Sequence, residues 1–245
     1  MRVLGAHLEM FTRLFMAFAL VVGLAGLLGS GRTEAAQLIF GIVGSETGEI
    51  IVNGRRVRLN SPRHAVNQGF ALCPEDRKVE GIVGELTVRE NIILALQAKR
   101  GWFRHIAHKK QLEIADEMIK ALHIVTPDAN KPAGQLSGGN QQKVVLSRWI
   151  YSDPEVLFLD EPTRGIDVGA KFEIYQIMNE LVSQGKSIVM ISSEMPELLG
   201  MCDRVYVMNE GRIIGEFNRY DATQENIMRC IMRDAGKDKS YGQIR

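Results

Sequence analysis

A glycine-rich stretch and a pair of adjacent carboxylates are the parts of this sequence best suited to chemistry. Gly26, Gly29 and Gly31 are spaced as in a turn whose backbone N–H groups face inward to cradle phosphate oxygens, with Ser30 between the last two. Arg32, Thr33 and Glu34 follow, where a helix should open and present its positive dipole end to the same anion. In the spacing GxxxxGK[ST] a lysine occupies the position of Arg32; arginine keeps the charge but replaces a slim ammonium with a broad planar fork. Thr33 supplies a hydroxyl suited to Mg2+. Far along the chain an apolar run over 156–159 ends in Asp160 and Glu161. Beside the glycine turn, Asp160 can hold Mg2+ through its water shell and Glu161 can orient and deprotonate an attacking water. The chemistry these types allow is metal-assisted cleavage of a nucleoside triphosphate.

A third string, Leu136, Ser137, Gly138, Gly139, Asn140, Gln141 and Gln142, comes about twenty residues before the apolar run and opens a helix over 141–149. It offers a hydroxyl, bare N–H groups and a dipole end to an anion. The elements that must position these strings read as α/β. Short apolar runs at 19–23, 156–160, 187–191 and 204–208 alternate with amphipathic stretches, which predicts a mostly parallel sheet covered on both faces. Over 81–152 the pattern is helical: Thr87 and Glu90 form a capping box, and Leu112, Ala115, Ile119 and Leu122 share one helix face. Ser61, Pro62 and Gly69 frame a short helix, 204–208 and 212–217 read as a hairpin, and 222–233 is again helical before a frayed polar tail at 236–245.

In this order the three strings resemble the nucleotide-binding domain of ABC ATPases, with 136–142 as its signature. The resemblance extends over most of 21–233. Gly29 to Glu34, Pro74 to Lys78, Ser137 to Lys143, Asp160 to Asp167 and Ser192 to Glu197 are especially similar to the C-terminal half of tandem sugar-import ATPases of the ribose, galactose, xylose and galactofuranose type. The resemblance implies a RecA-like P-loop NTPase core over 21–80 and 153–235, with an inserted helical subdomain over 81–152. It implies ATP and Mg2+ as cofactors. Gly26, Gly29, Ser30, Gly31, Arg32, Thr33, Glu34, Ser137, Gly138, Gly139, Gln141 and Asp167 would bind nucleotide, Thr33 and Asp160 would hold the metal, and Glu161, Asp160, Glu75 and Ser193 would occupy the catalytic positions. The expected partners are a second, N-terminal-type nucleotide-binding domain, membrane permease subunits and, indirectly, a periplasmic sugar-binding protein. The expected place is the cytoplasmic face of the inner membrane.

Three positions depart from a fully equipped domain: Arg32 for lysine, Glu75 for the Q-loop glutamine and Ser193 for the switch histidine. Serine cannot donate like an oriented histidine or sense pH, and glutamate adds an acceptor beside phosphate. The chain's own site is therefore expected to hydrolyse poorly while the intact signature serves the opposite domain. The alternative is a truncated, catalytically vestigial domain acting as a regulatory or assembly module. An ATPase of this family acting on nucleic acid would carry basic insertions, and Lys+Arg of 30 against Asp+Glu of 29 argues against a nucleic-acid partner.

Residues 1–20 form an atypical apolar segment. The family places an adenine-stacking aromatic ahead of the P-loop strand, and Phe11, Phe15 and Phe18 are the aromatics on hand. The run 14–28 resembles a signal-peptide core, but a strand feeding the glycine turn is the preferred reading of its second half, since cleavage near 29 or 35 would destroy that turn. Cys73, Cys202 and Cys230 are too few and too scattered for a disulfide framework or zinc site. Trp102, Phe103, Arg104 and Tyr151, in or beside the helical segment, are candidates for contact with a permease.

Overall fold

The computed structural model describes residues 20–44, 49–52, 55–101 and 103–241, with side chains as far as Asp234. Its centre is β1 (Val21–Gly26), buried up to its last residue. The main sheet has the order β4-β5-β6-β1-β7-β8, formed by Phe70–Cys73, Val156–Asp160, Ser187–Ile191, β1, Arg204–Asn209 and Arg212–Asn218. All neighbours run parallel except β7 and β8.

Successive side chains of each parallel strand go to opposite faces, and both faces are buried. Ala71, Leu157, Leu159, Ile188, Met190, Val205 and Val207 join one apolar cluster; Val22, Leu24, Phe158, Val189, Ile191 and Met208 join the other. This double coverage explains the continuous apolar runs, each buried leucine or isoleucine contributing about 2 kcal/mol. On the second face lie α1 (Arg32–Ile39) and α2 (Pro62–Asn67), where Phe40 meets Trp149 edge-on at 5.8 Å. The helical segment packs α3 (Val88–Arg100) against α4 (His108–Ala121) and α5 (Gly138–Ile150). The remaining helices are α6 (Val168–Ser183), α7 (Met195–Met201) and α8 (Gln224–Tyr241).

The topology selects where a ligand can sit. After β6 the chain crosses β1 to lay β7 on its far side, so the loops leaving β5, β6 and β1 emerge next to one another at the carboxyl edge of the sheet. Such a reversal of strand order opens a crevice for ligands. The register places the ends of these strands together, with Asp160 opposite Ile191 and Leu24 opposite Ile191 on the other side.

Several expected boundaries move. The first strand was expected at 19–23 but runs to Gly26, because pairing with β7 continues through Ala25 and Gly26, whose small side chains give little hydropathy signal. The signature helix starts at Gly138, three residues earlier than the apolar pattern indicates, with Ser137 as its N-cap. Helix α8 begins at Gln224 and continues past Arg233 to Tyr241, so the segment expected to fray at 236 is helical over most of its length. Lys237, Asp238 and Lys239 give no apolar periodicity, yet their stretch continues the helix already begun. Edge strand β4 and the small hairpin β2 (Ile50–Val52) with β3 (Arg55–Val57) were not anticipated.

Other local expectations hold. Thr87 and Glu90 form the reciprocal capping box, and Ser61 caps α2 with Gly69 beyond it at φ 82°. The β7–β8 turn has Glu210 and Gly211 at φ 48° and 75°, the positive values a two-residue hairpin turn requires. No helix among the described residues is long and apolar enough to cross a membrane. Phe11, Phe15, Phe18 and Trp102 lie outside the described residues.

Candidate functional site

The glycine loop is shaped by the hairpin behind it. Gly29 and Gly31 have φ 77° and 92°, in the left-handed region that glycine tolerates without strain. A Cβ on Gly31 would come within 2.8 Å of Gly211 Cα, and one on Gly26 within 2.5 Å of the Met208 carbonyl oxygen. The Gly211 N–H donates to the Ser30 carbonyl at 2.8 Å, so the β7–β8 turn props the loop. The Ser30 hydroxyl is buried with no hydrogen-bond partner among the described residues. Helix α1 follows with no side-chain cap, leaving its first-turn N–H groups to the loop; Glu34 is exposed in that first turn.

Across the crevice, Asp160 ends β5 with the Thr33 hydroxyl close enough to favour its charged form. Its Oδ1 atom is buried without a partner. Burial pushes the Asp160 carboxyl up to about 7, with the neighbouring Glu75 and Glu161 charges acting in the same direction and Thr33 and Arg32 opposing them. An orphaned carboxylate oxygen beside a threonine hydroxyl, held at this cost, fits a hard divalent cation. Glu161 turns the chain at φ 46°, a strained value for a side chain with a Cβ, while its N–H donates to the Ile191 carbonyl at 2.9 Å. Burial also raises its pKa, and the Ser193 hydroxyl donates to Glu161 Oε2 at 3.1 Å.

Arg32 is buried, and its Nη1 donates to the Ser192 carbonyl at 2.7 Å. Ser192 is fixed in turn, its hydroxyl donating to Glu197 Oε2 at 2.7 Å. Glu197 is a buried hub that also accepts from Thr163, from Tyr175 at 2.6 Å and from Lys171 at 3.1 Å. Burial would raise its pKa, but these donors together hold it below the usual glutamate range. The segment carrying Ser193 is thereby tied both to the loop after β5 and to α6.

Glu75 pairs with Arg164, and a cavity of about 490 Å³ beside Thr33 is lined by Glu75, Arg77, Lys78 and Arg164. The structure therefore gathers Thr33, Asp160, Glu161 and Ser193, with Ser193 bonded to Glu161 and with Thr33, Arg32 and Glu75 close enough to act on Asp160.

The remaining site residues form a second group. Ser137 is exposed, and its hydroxyl makes no cap bond to α5 but accepts from Asn140 Nδ2 at 2.9 Å. Gly139 is buried, where a Cβ would meet Ala170 Cβ at 2.6 Å. Asp167 caps α6 through the Ala170 N–H at 2.9 Å. Gln141 is buried and donates to the Gly134 carbonyl at 3.2 Å, bracing the signature turn from inside. The sequence reading missed Arg77, Arg164 and Glu197; each lies inside a string quoted for the family resemblance, which was the available signal.

Residues 18–164, more than half of the chain, match the family model described as ABC transporter. The chain belongs to the ABC transporter family. Among curated members of that family, the galactofuranose transporter ATP-binding protein of Escherichia coli is 50% identical over 211 residues, covering 86% of this chain and 42% of that protein. A putative ribose/galactose/methyl galactoside import ATP-binding protein of Rhizobium etli is 51% identical over 209 residues, covering 85% and 40%. The xylose import ATP-binding protein of Thermoanaerobacter pseudethanolicus is 50% identical over 211 residues, covering 86% and 42%. The chain thus spans about four-tenths of the length of these relatives. A dimeric ATP-binding cassette in a post-hydrolysis state with ADP and Pi superposes with a TM-score of 0.70 at 22% identity, covering 84% of this chain and 88% of that one; the ABC ATPase fold is shared.

Proposed function

We propose that this ABC chain acts as an ATP-binding half that couples ATP binding and hydrolysis to carbohydrate import, chiefly by lending Ser137, Gly138 and Gly139 to a second, N-terminal-type nucleotide-binding domain. The observation that carries this reading is the exposed Ser137 hydroxyl at the N-terminus of α5, which caps no backbone N–H of that helix and, among the described residues, accepts only from the Asn140 side chain. A helix start whose hydroxyl makes no backbone cap bond and can still donate suits an anion presented by another molecule.

In the chain's own site the glycine loop would hold the phosphates of ATP, and Thr33 and Asp160 would hold Mg2+, which supplies charge neutralisation at the phosphate oxygens. Glu161, steadied by Ser193, is placed to orient a water and take its proton. Arg32 is committed to the Ser192 carbonyl, which supports slow turnover in this site compared with a lysine free to reach between phosphates. The same contact, with Ser193 in place of histidine, favours the vestigial module as the second reading.

The 50%-identical relatives, named as galactofuranose transporter and xylose import ATP-binding proteins, support sugar as cargo; the partners in this reading are a membrane permease and, indirectly, a periplasmic sugar-binding protein, with the chain on the cytoplasmic face. Phe103 is fully exposed, as docking requires, and Arg104 is exposed beside it. Tyr151 is half-buried at the end of α5. An apolar groove of about 240 Å³ lined by Pro62, Val66, Ala95, Ala98 and Trp149 offers a further seat.

The test is ATP affinity and ATPase rate with and without a co-expressed N-terminal-type domain. The chain alone is expected to bind Mg2+-ATP and turn over slowly, with the pair faster by about a hundredfold, the scale on which a donor at developing phosphate charge acts. No stimulation by the partner would select the vestigial module.

A further inference from the structure

After Glu75 the chain makes a single π-helical turn, Arg77–Gly81, capped by Asp76, whose Oδ1 accepts from the N–H groups of Lys78 at 2.9 Å and Val79 at 3.1 Å. Such turns are rare and are frequently found at functional sites. From it the Arg77 guanidinium reaches the loop after β5, Nη1 donating to the Arg164 carbonyl at 2.5 Å and Nη2 to the Gly165 carbonyl at 3.2 Å. The same Nη2 lies 2.7 Å from where a Cβ on Gly138 would stand. A side chain at residue 138 would therefore have to displace the guanidinium, which is seated against it.

The other end of the turn is tied down as well. Arg148, near the end of α5, donates through Nη1 to the Gly81 carbonyl at 2.6 Å, and through Nε and Nη2 to Asn91 at 2.9 Å. Helix α5 is thus held to the π turn at both ends, by Arg77 against Gly138 and by Arg148 on Gly81. Arg164 closes the ring, its main chain taking Arg77 while its side chain pairs with Glu75. A carboxylate at the chain's own phosphate site is in this way linked through two arginines to the outward-facing signature.

We propose that Arg77 is a positioning residue that holds the signature turn at Gly138 and the turn at Arg164 and Gly165 in one arrangement set by Glu75, so that the state of the chain's own site is passed to the surface offered to the partner domain. This rests on the proposed use of Ser137 across the interface. The fork matters because its two Nη atoms donate to successive carbonyls while one of them also stands beside Gly138; a lysine ammonium is a single point donor on a differently shaped stem.

The test uses the full chain co-expressed with an N-terminal-type domain, as wild type, Arg77→Lys and Arg77→Ala. Hydrogen exchange of the amides at 137–143 and 164–167 should rise about tenfold in both variants, as expected when hydrogen bonds fixing a turn are lost. The ATPase of the pair should lose about tenfold in kcat with little change in KM, the pattern of a misplaced group at the transition state. Unchanged exchange in either variant, or full activity with lysine, overturns the role of Arg77. Ser137→Arg in the same pair separates the two proposals: intact ATPase there overturns the cross-domain use of the signature, while the exchange measurement still decides Arg77.

Discussion

Ser137→Arg should abolish the ATPase activity of the assembled pair, with a fall in kcat on the order of a thousandfold, the size reported when a preorganised donor to developing phosphate or oxyanion charge is removed. Ser137 stands exposed at the start of α5, and the only hydrogen bond described for its hydroxyl comes from Asn140. A long guanidinium there fills the space in which a partner's phosphate would meet the hydroxyl and the helix N–H groups, yet disturbs no buried contact of its own domain. Arg32→Ala should leave much of the activity. Its guanidinium is directed at the Ser192 carbonyl, so its removal costs about 1–2 kcal/mol of local stability as a charged hydrogen bond is lost. Steady-state rates of the pair, compared with thermal unfolding of each chain, separate the two effects. Equal loss from both substitutions would reject the division of labour.

The second large effect is one of pH. Burial holds the Asp160 carboxyl up to about 7, above its ordinary value of 3.8. The folded chain then binds this proton more tightly than the unfolded one between those two values. Without nucleotide, stability contributed by the protonated acid is present at low pH and is lost as pH rises toward and through 7, a change on the order of 2–4 kcal/mol for this group. Mg2+-ATP should act in the opposite sense, since a metal ligand must be deprotonated and a ligand bound to the folded state stabilises it. Asp160→Asn should flatten the nucleotide-free profile between pH 5 and 8, with about that gain in stability at the upper end, while losing the Mg2+-dependent part of ATP affinity. Thermal unfolding across this pH range with and without Mg2+-ATP makes the measurement; a wild-type profile that rises with pH in the absence of nucleotide contradicts the assignment.

Much of the fold was legible because buried parallel strands leave a strong signal. The runs ending in Asp160 and Ile191 are apolar on both faces of the sheet and could be read directly. The capping box at Thr87 and the turn at Glu210 and Gly211 are local chemistry that needs no tertiary context. Strand β4 lies at the sheet edge and is four residues long, too short to show a period, and the small β2–β3 hairpin is three residues a side.

In the site, residue types and spacing marked Thr33, Asp160 and Glu161 as groups that should converge, and the family resemblance marked Ser193; Thr33 stands near Asp160, and the bond from Ser193 to Glu161 was not read in advance. The network around Glu197 could not be read in advance. It joins residues from the loop after β5, from α6 and from the start of α7, and a glutamate at the start of a short helix reads from sequence as a solvated first-turn acid. Arg77 was equally silent, since an arginine bonded to main-chain carbonyls leaves no complementary side chain to match it with, and the partner of Arg164 is Glu75, far off in the sequence.

The most direct measurement of the central claim is chemical cross-linking of the pair. Ser137→Cys in this chain, with Cys230→Ser and with Cys73 and Cys202 left buried, is combined with a cysteine in the glycine loop of the N-terminal-type domain and treated with a short bis-maleimide. An outward-facing signature that completes the partner's site predicts a cross-link that forms with Mg2+-ATP and fades without nucleotide. Absence of the cross-link in a pair shown to be assembled and nucleotide-bound would contradict it.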